Sequence, residues 1–236
     1  MSQPFRLNKE GLINRNKKIS FTFNGKKLFG YEGDTIASAL IANGIHLVGR
    51  SFKYHRPRGF FGAGVEEPNA KLQVEFNGHS EPNVNATEME LVEGLSATSQ
   101  NCWPSVNFDI GAINNFLKMF FPAGFYYKTF MWPKSFWYKI YEPFIRKAAG
   151  LGVASIEKDK ERYEHKFEYC DLLVTGSGPS GLASAYAAAK NGAKVILAED
   201  KPRFGGTLLT DDVSIDNLSG KDWAEKIITE LKSMPN

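Results

Sequence analysis

Hydrophobic and polar positions alternate near the start of the chain, then change period. Ile19, Phe21 and Phe23 are separated by Ser20 and Thr22, the period-two pattern of a strand with one buried face. Asn24-Gly25 follows, a pair that accepts the positive φ angles of a tight hairpin. Leu28, Phe29 and Tyr31 supply the returning strand. The spacing then turns helical: Ile36, Leu40 and Ile41 form an apolar stripe, with Asp34 as the expected N-cap and Asn43-Gly44 as the stop. Residues 50–64 are glycine-rich and basic and show no period, which predicts a loop. Leu72, Val74 and Phe76 alternate again before a second Asn-Gly at Asn77-Gly78. Hairpin, helix, long loop and strand make a small α+β domain.

A second pattern opens near the other end. Leu172, Leu173 and Val174 read as a buried strand, followed by Gly176-Ser-Gly178-Pro-Ser-Gly181 and an alanine-rich helix over residues 182–190. Asn191-Gly192 closes that helix, and residues 194–198 form a second strand ending at Glu199-Asp200. Residues 221–232 predict an amphipathic helix with Trp223, Ile227, Ile228 and Leu231 on one face. Between the two patterns, residues 116–141 hold 12 aromatics, among them Phe125, Tyr126, Tyr127, Trp132 and Trp137. Each can bury roughly 150–250 Å², so this stretch is expected to be a connector packed against other domains or another subunit. The expected organisation is a first domain over residues 1–94, an aromatic connector over 95–166, and the start of a dinucleotide-binding domain over 167–236.

Composition narrows the picture. Of 236 residues, 42% are hydrophobic and 23% charged, an ordinary globular balance. A net charge of +3 gives no reason to expect nucleic acid, although residues 1–60 hold 11 Lys or Arg against 3 acids. Two cysteines, Cys102 and Cys170, exclude a disulfide-stapled scaffold and a four-cysteine site formed within the chain. His46 and His55 lack a second ligand at metal spacing, so no metal site is expected. Residues 116–132 are broken by Lys118, Pro122, Gly124 and Lys128, and residues 1–20 have no apolar core. Neither a membrane span nor a secretory leader is expected, and the compartment expected is the cytoplasm.

The chemistry is concentrated after residue 175. A glycine triplet alone is weak, but here it has a strand before it, a helix after it and an acid ending the next strand. Gly176 permits the tight turn, Gly178 lets the backbone approach a pyrophosphate, and Gly181 lets the helix pack close to the strand, helped by Ala183, Ala185 and Ala187. Amides at Ser180 and Gly181 face the phosphate charge. Glu199 stands where a carboxylate meets a ribose diol, which disfavours NADP. Lys201-Pro-Arg-Phe-Gly-Gly-Thr207 adds a Gly-Gly pair of the kind that bends back over a dinucleotide, and FAD and NAD remain open at this point. Two parallel strands cannot be covered on both faces by the helices present, so the chain is expected to be an N-terminal fragment of a longer polypeptide. The alternative is a sheet completed by a partner subunit.

The first pattern is compatible with the β-grasp fold of plant-type ferredoxins, whose cluster needs four thiolates. The loop of residues 50–69 has none. The runs Arg50-Ser-Phe-Lys-Tyr-His-Arg-Pro-Arg-Gly59, Ala63-Gly-Val-Glu-Glu-Pro-Asn-Ala70, Pro122-Ala-Gly-Phe-Tyr-Tyr-Lys-Thr-Phe-Met-Trp-Pro133, Tyr141-Glu-Pro143 and Ala148-Ala-Gly-Leu-Gly152 resemble the α subunits of bacterial heterotetrameric sarcosine oxidases, in the same order along nearly the whole chain. The resemblance implies a cluster-free ferredoxin-like domain, an aromatic connector and the incomplete start of a Rossmann domain, with no iron–sulfur cluster. It implies oxidative demethylation of sarcosine to glycine, with hydrogen peroxide and formaldehyde or methylene-tetrahydrofolate as co-products. It places FAD and FMN on the β subunit, NAD on this chain and tetrahydrofolate on a further domain, with β, γ and δ subunits as partners.

Residue by residue, Ser180 matches the family's phosphate loop, Glu199, Asp200 and Lys201 the stretch at the adenosine ribose, and Thr207 the position after the Gly-Gly pair. The family usually has Asp in place of Glu199 and Glu in place of Asp200, a swap that keeps a carboxylate at the ribose but moves it by one methylene. No catalytic acid, base or nucleophile is expected in this chain. The basic loop of residues 50–58 is the expected docking element for β. Two other readings stand beside this one: an FAD-carrying electron-transfer subunit of a related amine or opine dehydrogenase, and a non-catalytic assembly module with an empty nucleotide site.

Overall fold

The computed structural model describes residues 3–9, 11–124, 130–158 and 162–236. The chain divides into two compact units, Met1–Lys160 and Glu161–Asn236.

In the first unit, strands β1 (Asn14–Phe23) and β2 (Lys26–Glu32) form the expected antiparallel hairpin, turning through Asn24 and Gly25 at φ of 49° and 76°. Helix α1 (Ile36–Ala42) follows. The two-residue strands β3 (Gly49–Arg50) and β4 (Pro57–Arg58) pair with each other inside the stretch expected to be loop throughout. Strand β5 (Lys71–Phe76) is the alternating segment, and Asn77-Gly78 turns it into β6 (His79–Asn85). Strand β7 (Ser96–Ser99) completes a five-stranded sheet in the order β2-β1-β7-β5-β6. It runs parallel to β1 and antiparallel to β5. The core lies between this sheet and α1, where Phe21, Ile36, Leu40, Leu72, Leu91 and Leu95 are all buried.

The periodic pattern does not show β6 or β7. The β6 sequence, HSEPNVN, is polar and carries a proline, which an edge strand tolerates. In β7 only Ala97 is buried.

The helix start also differs from expectation. Thr35, not Asp34, caps α1: its side chain accepts the Ser38 amide at 3.1 Å, and the Thr35 amide donates to Ser38 Oγ at 3.0 Å. Asp34 is buried instead, because its carboxylate accepts both Arg6 guanidinium nitrogens at 2.7 Å, the Tyr31 amide and the Ser38 hydroxyl. The N-terminal segment is thereby strapped over the hairpin, with the Gln3 side chain donating to Phe29 O at 2.7 Å and Phe5 edge-on to His46.

Between the sheet and the second unit, the chain is tied to the basic loop through its own carbonyls. Arg50 donates to Val106 O at 2.7 and 2.8 Å, and Tyr54 to Phe121 O at 2.8 Å. His55 Nδ1 lies 2.7 Å from Asp109 Oδ2, and Asp109 also caps the short 3-10 turn Ile110–Asn115. Helix α2 (Glu142–Ala149) ends at Gly150 in the left-handed region. The aromatics of this stretch remain largely bare: Phe116, Phe120, Trp132 and Tyr138 are each at least three-quarters exposed. Phe125, Tyr126 and Tyr127 lie outside the described residues.

The second unit has two parallel strands, β8 (Leu172–Thr175) and β9 (Val195–Ala198), joined through α3 (Pro179–Lys190). A short hairpin, β10 (Ser214–Ile215) with β11 (Leu218–Ser219), leads into α4 (Gly220–Ser233), which Ser219 caps. Leu182, Leu208, Trp223, Ala224 and Ile227 form the core. With two strands the sheet is open, and Leu173, read as buried from the sequence, is 57% exposed. Ala185 packs inward as expected, while Ala183 and Ala187 face solvent; the buried face of α3 is Leu182, Ala185 and Ala189.

Candidate functional site

The site is built where β8 runs into α3. Gly176 turns the chain at φ of 90°. A Cβ on Gly181 would sit 2.0 Å from the Gly176 carbonyl oxygen and 3.4 Å from Val174 Cγ1, so only glycine brings the first turn of the helix this close to the strand end. A Cβ on Gly178 would meet nothing within 4 Å, which leaves its backbone facing open space. Gly178 is the N-cap of α3 and makes no side-chain capping bond, while Pro179 opens the helix and Ser180 is exposed beside it. Free amides at a helix N-terminus, beside glycines that leave room, are the arrangement that receives a pyrophosphate.

Glu199 stands at the end of β9. Its carboxylate accepts the Ser177 amide at 2.7 Å, the Ser177 hydroxyl in a very short bond, and the Lys201 amide at 3.0 Å. Partial burial opposes ionisation of this carboxyl, but the bonds from Ser177 and Lys201 prevail and hold its pKa at about 2. Glu199 is therefore anionic wherever the protein is folded near neutrality. Asp200 is exposed and lies 3.6 Å from the ammonium of Lys201. Gly205 donates to both the carbonyl and the hydroxyl of Ser177, at 3.1 and 3.2 Å. A Cβ on Gly206 would lie 3.0 Å from Gly178 Cα. The Gly-Gly pair is thus packed on the glycine turn after β8, and Thr207 follows, exposed, in the 3-10 turn Gly206–Leu209.

The structure brings Gly176, Gly178, Gly181, Glu199 and the Gly205-Gly206 pair together around one loop. Sequence reasoning passed over Ser177, which sits at a spacer position of the motif yet is fully buried. A second residue it passed over is Glu67 in the first unit, also buried. Its carboxylate accepts four backbone amides: Phe61 and Gly62 at 2.5 and 2.6 Å on one oxygen, Asn69 and Ala70 at 2.6 and 3.2 Å on the other. Neither role has a periodic signature. Among the described residues, no group of three His, Cys, Asp or Glu could hold a metal ion, and no helix is long and apolar enough to cross a membrane.

Strand, glycine loop, helix, acid-ended strand and returning Gly-Gly loop define a class: the opening of a Rossmann-type dinucleotide domain. A family model described as FAD dependent oxidoreductase matches residues 171–233, and one described as 2Fe-2S iron-sulfur cluster binding domain matches residues 16–102. Over 98% of its length the chain is 57% identical to the sarcosine oxidase subunit alpha of Rhizobium meliloti (strain 1021), and it covers 24% of that protein. It is 31% identical, again over 98% of its length, to the sarcosine oxidase subunit alpha of Corynebacterium sp. (strain U-96), of which it covers 20%. The chain is thus a homologue of sarcosine oxidase α subunits and spans about a quarter or less of the length of these relatives. The crystal structure of L-proline dehydrogenase from P. horikoshii shares the fold, with a TM-score of 0.53 and 19% identity, covering 98% of this chain and 34% of that one.

These matches correct one expectation. The first domain was expected to be cluster-free and the chain to have no iron–sulfur cluster, yet the family matched over residues 16–102 is described as binding a 2Fe-2S cluster. Tested against that description, the donor set does not fit: within the matched range Cys102 is the single cysteine. Burial, helped by the negative charge of Asp109 and opposed by Arg50, pushes its thiol pKa upward, away from the thiolate a ligand must be. In the loop of residues 61–70, amides at 61, 62, 69 and 70 are held by Glu67 and those at 63 and 64 by Glu66.

Proposed function

We propose that this chain is part of the α subunit of an oxidoreductase complex acting on a CH–NH donor, sarcosine, and that its second unit binds the ADP half of an adenine dinucleotide. In this reading Gly176, Gly178, Ser180 and Gly181 receive the pyrophosphate. Glu199 takes the ribose diol, with Asp200 and Lys201 beside it, and Thr207 closes over the cofactor. The observation that carries the site is the pair of opposite demands met by its glycines: Gly181 has no room for a side chain, and Gly178 has nothing in front of it. The identity with sarcosine oxidase α subunits along 98% of the chain carries the choice of complex. No residue here is assigned a proton-transfer or nucleophilic role. The chain binds and docks, in the cytoplasm, while the amine is oxidised elsewhere in the complex.

The family resemblance favours NAD at this site, and the description of the family matched over residues 171–233 favours FAD. The test is to purify the full polypeptide with its co-expressed partner subunits, release the bound nucleotides and identify them by mass. NAD travelling with this polypeptide supports a supportive or hydride-transfer site. FAD makes Gly176 and its neighbours part of an electron path. No adenine nucleotide at all refutes the site.

Docking on the β subunit rests on the bare aromatic stretch and on the basic loop, where Arg58 is exposed and Arg56 donates to Asn115 Oδ1 at 3.0 Å. Arg56→Glu with Arg58→Glu should reduce co-purification with β, and intact co-purification rejects the loop as the docking element.

A further inference from the structure

We propose that Ser177 is the positioning residue of the dinucleotide site: its buried hydroxyl fixes the direction of the Glu199 carboxylate and, at the same time, docks the Gly205-Gly206 loop onto the glycine turn. The inference rests on the reading of residues 176–207 as an adenine-dinucleotide site and goes beyond it, because the glycine motif leaves this position free.

Three segments that meet at the site come from different parts of the chain: the turn after β8, the end of β9 and the loop at residues 205–207. Ser177 is bonded to both of the others. Its amide and hydroxyl donate to the same oxygen of Glu199, Oε2, and its carbonyl and hydroxyl both accept the Gly205 amide. The residue is 0% exposed, so its hydroxyl is out of reach of water. The Lys201 amide takes the other carboxylate oxygen, Oε1. Glu199 is consequently fixed through both oxygens; Oε2 already accepts two bonds, and Oε1, with the Lys201 amide, keeps lone-pair capacity for a ligand hydroxyl. A glutamate side chain has three rotatable bonds. Held this way it meets a ribose diol without first losing that freedom, which is how pre-organisation raises affinity. An alanine at 177 leaves the amide bond but removes the hydroxyl from both neighbours at once.

The test reads ribose recognition separately from fold. The probes are ADP and 2′-deoxy-ADP, which carry the pyrophosphate and adenosine common to NAD and FAD, titrated by calorimetry into the nucleotide-stripped full polypeptide. A bond from an ionised carboxylate to the ribose hydroxyl should make the deoxy probe bind at least about tenfold more weakly to the native protein. Ser177→Ala should compress that ratio to within about threefold. Glu199→Gln should compress it likewise, and the double variant no further, because both act through one carboxylate. If Ser177→Ala fails to fold, Ser177→Cys, a weaker donor of similar size, is read in its place.

A tenfold ratio retained in the serine variant overturns the proposal while leaving the site intact. Failure of ADP to bind the native protein refutes the dinucleotide reading and this inference with it.

Discussion

Replacing Glu67 with Gln tests how much of the first unit's stability runs through one carboxylate. The change keeps the side chain's size and removes its charge. One acceptor oxygen becomes an NH₂ donor, so two of the four backbone amides now held at 2.5–3.2 Å face a donor. Hydrogen bonds to a charged group contribute about 1.5–3 kcal/mol each. Losing two therefore costs about 3 kcal/mol at the lower end. For a unit of this size each kcal/mol shifts the melting temperature by about 2–4 °C, which gives a drop of about 6–12 °C.

The acid side adds a second reading. Burial of Glu67 opposes ionisation, but the amides of Gly62, Asn69, Phe61 and Ala70 more than offset it, so its pKa in the fold lies below the usual 4.5. A depressed folded value means that the stabilisation is complete above about pH 4.5 and is lost as pH falls through the folded value. Native protein should thus lose stability on acidification more steeply than Glu67→Gln. Calorimetry across pH, with hydrogen exchange at the amides of Phe61, Gly62, Asn69 and Ala70, measures both. A melting temperature within about 1 °C of native and unchanged protection at those amides would falsify the reasoning.

Gly181→Ala places a methyl 2.0 Å from the Gly176 carbonyl oxygen. The loop has to shift, and nucleotide affinity should fall at least about tenfold, while Gly178→Ala, with no atom in its way, should fold normally and lose affinity through obstruction alone. Equilibrium dialysis with ADP and circular dichroism separate the two effects. Arg6→Ala leaves the buried Asp34 carboxylate without its counter-charge. The expected cost is about 3–5 kcal/mol in urea unfolding, and a loss below about 1 kcal/mol would show that the Tyr31 and Ser38 bonds suffice.

What the sequence makes legible are the features with a local cause. Alternation at Ile19, Phe21 and Phe23 reflects one buried sheet face. Asn24-Gly25 and Asn77-Gly78 reflect backbone angles that few other residues adopt. The glycine turn and its two strands follow from steric demands confined to a short stretch of chain. The rest depends on partners far away in sequence. Asp34 has the composition of an N-cap, yet Arg6, 28 residues earlier, draws it into the interior and leaves the cap to Thr35. Ser177 and Glu67 are polar residues at unremarkable positions until their backbone partners are known. Strand β7 owes its place to the gap between β1 and β5, not to any pattern of its own.

That gap sets an order of events during synthesis. Each of the hairpins β1-β2 and β5-β6 closes on neighbours only a few residues away, so both can form early and locally. They remain unconnected, because β7 joins them by pairing in parallel with β1, matching Ser96 to Thr22. Until Ser99 has left the ribosome, β1 and β5 present bare edges carrying Phe21, Phe23 and Val74, the exposure that invites aggregation. A four-residue strand late in the domain is therefore the clasp of the whole sheet. A chain truncated before residue 96 would hold two hairpins and no closed sheet.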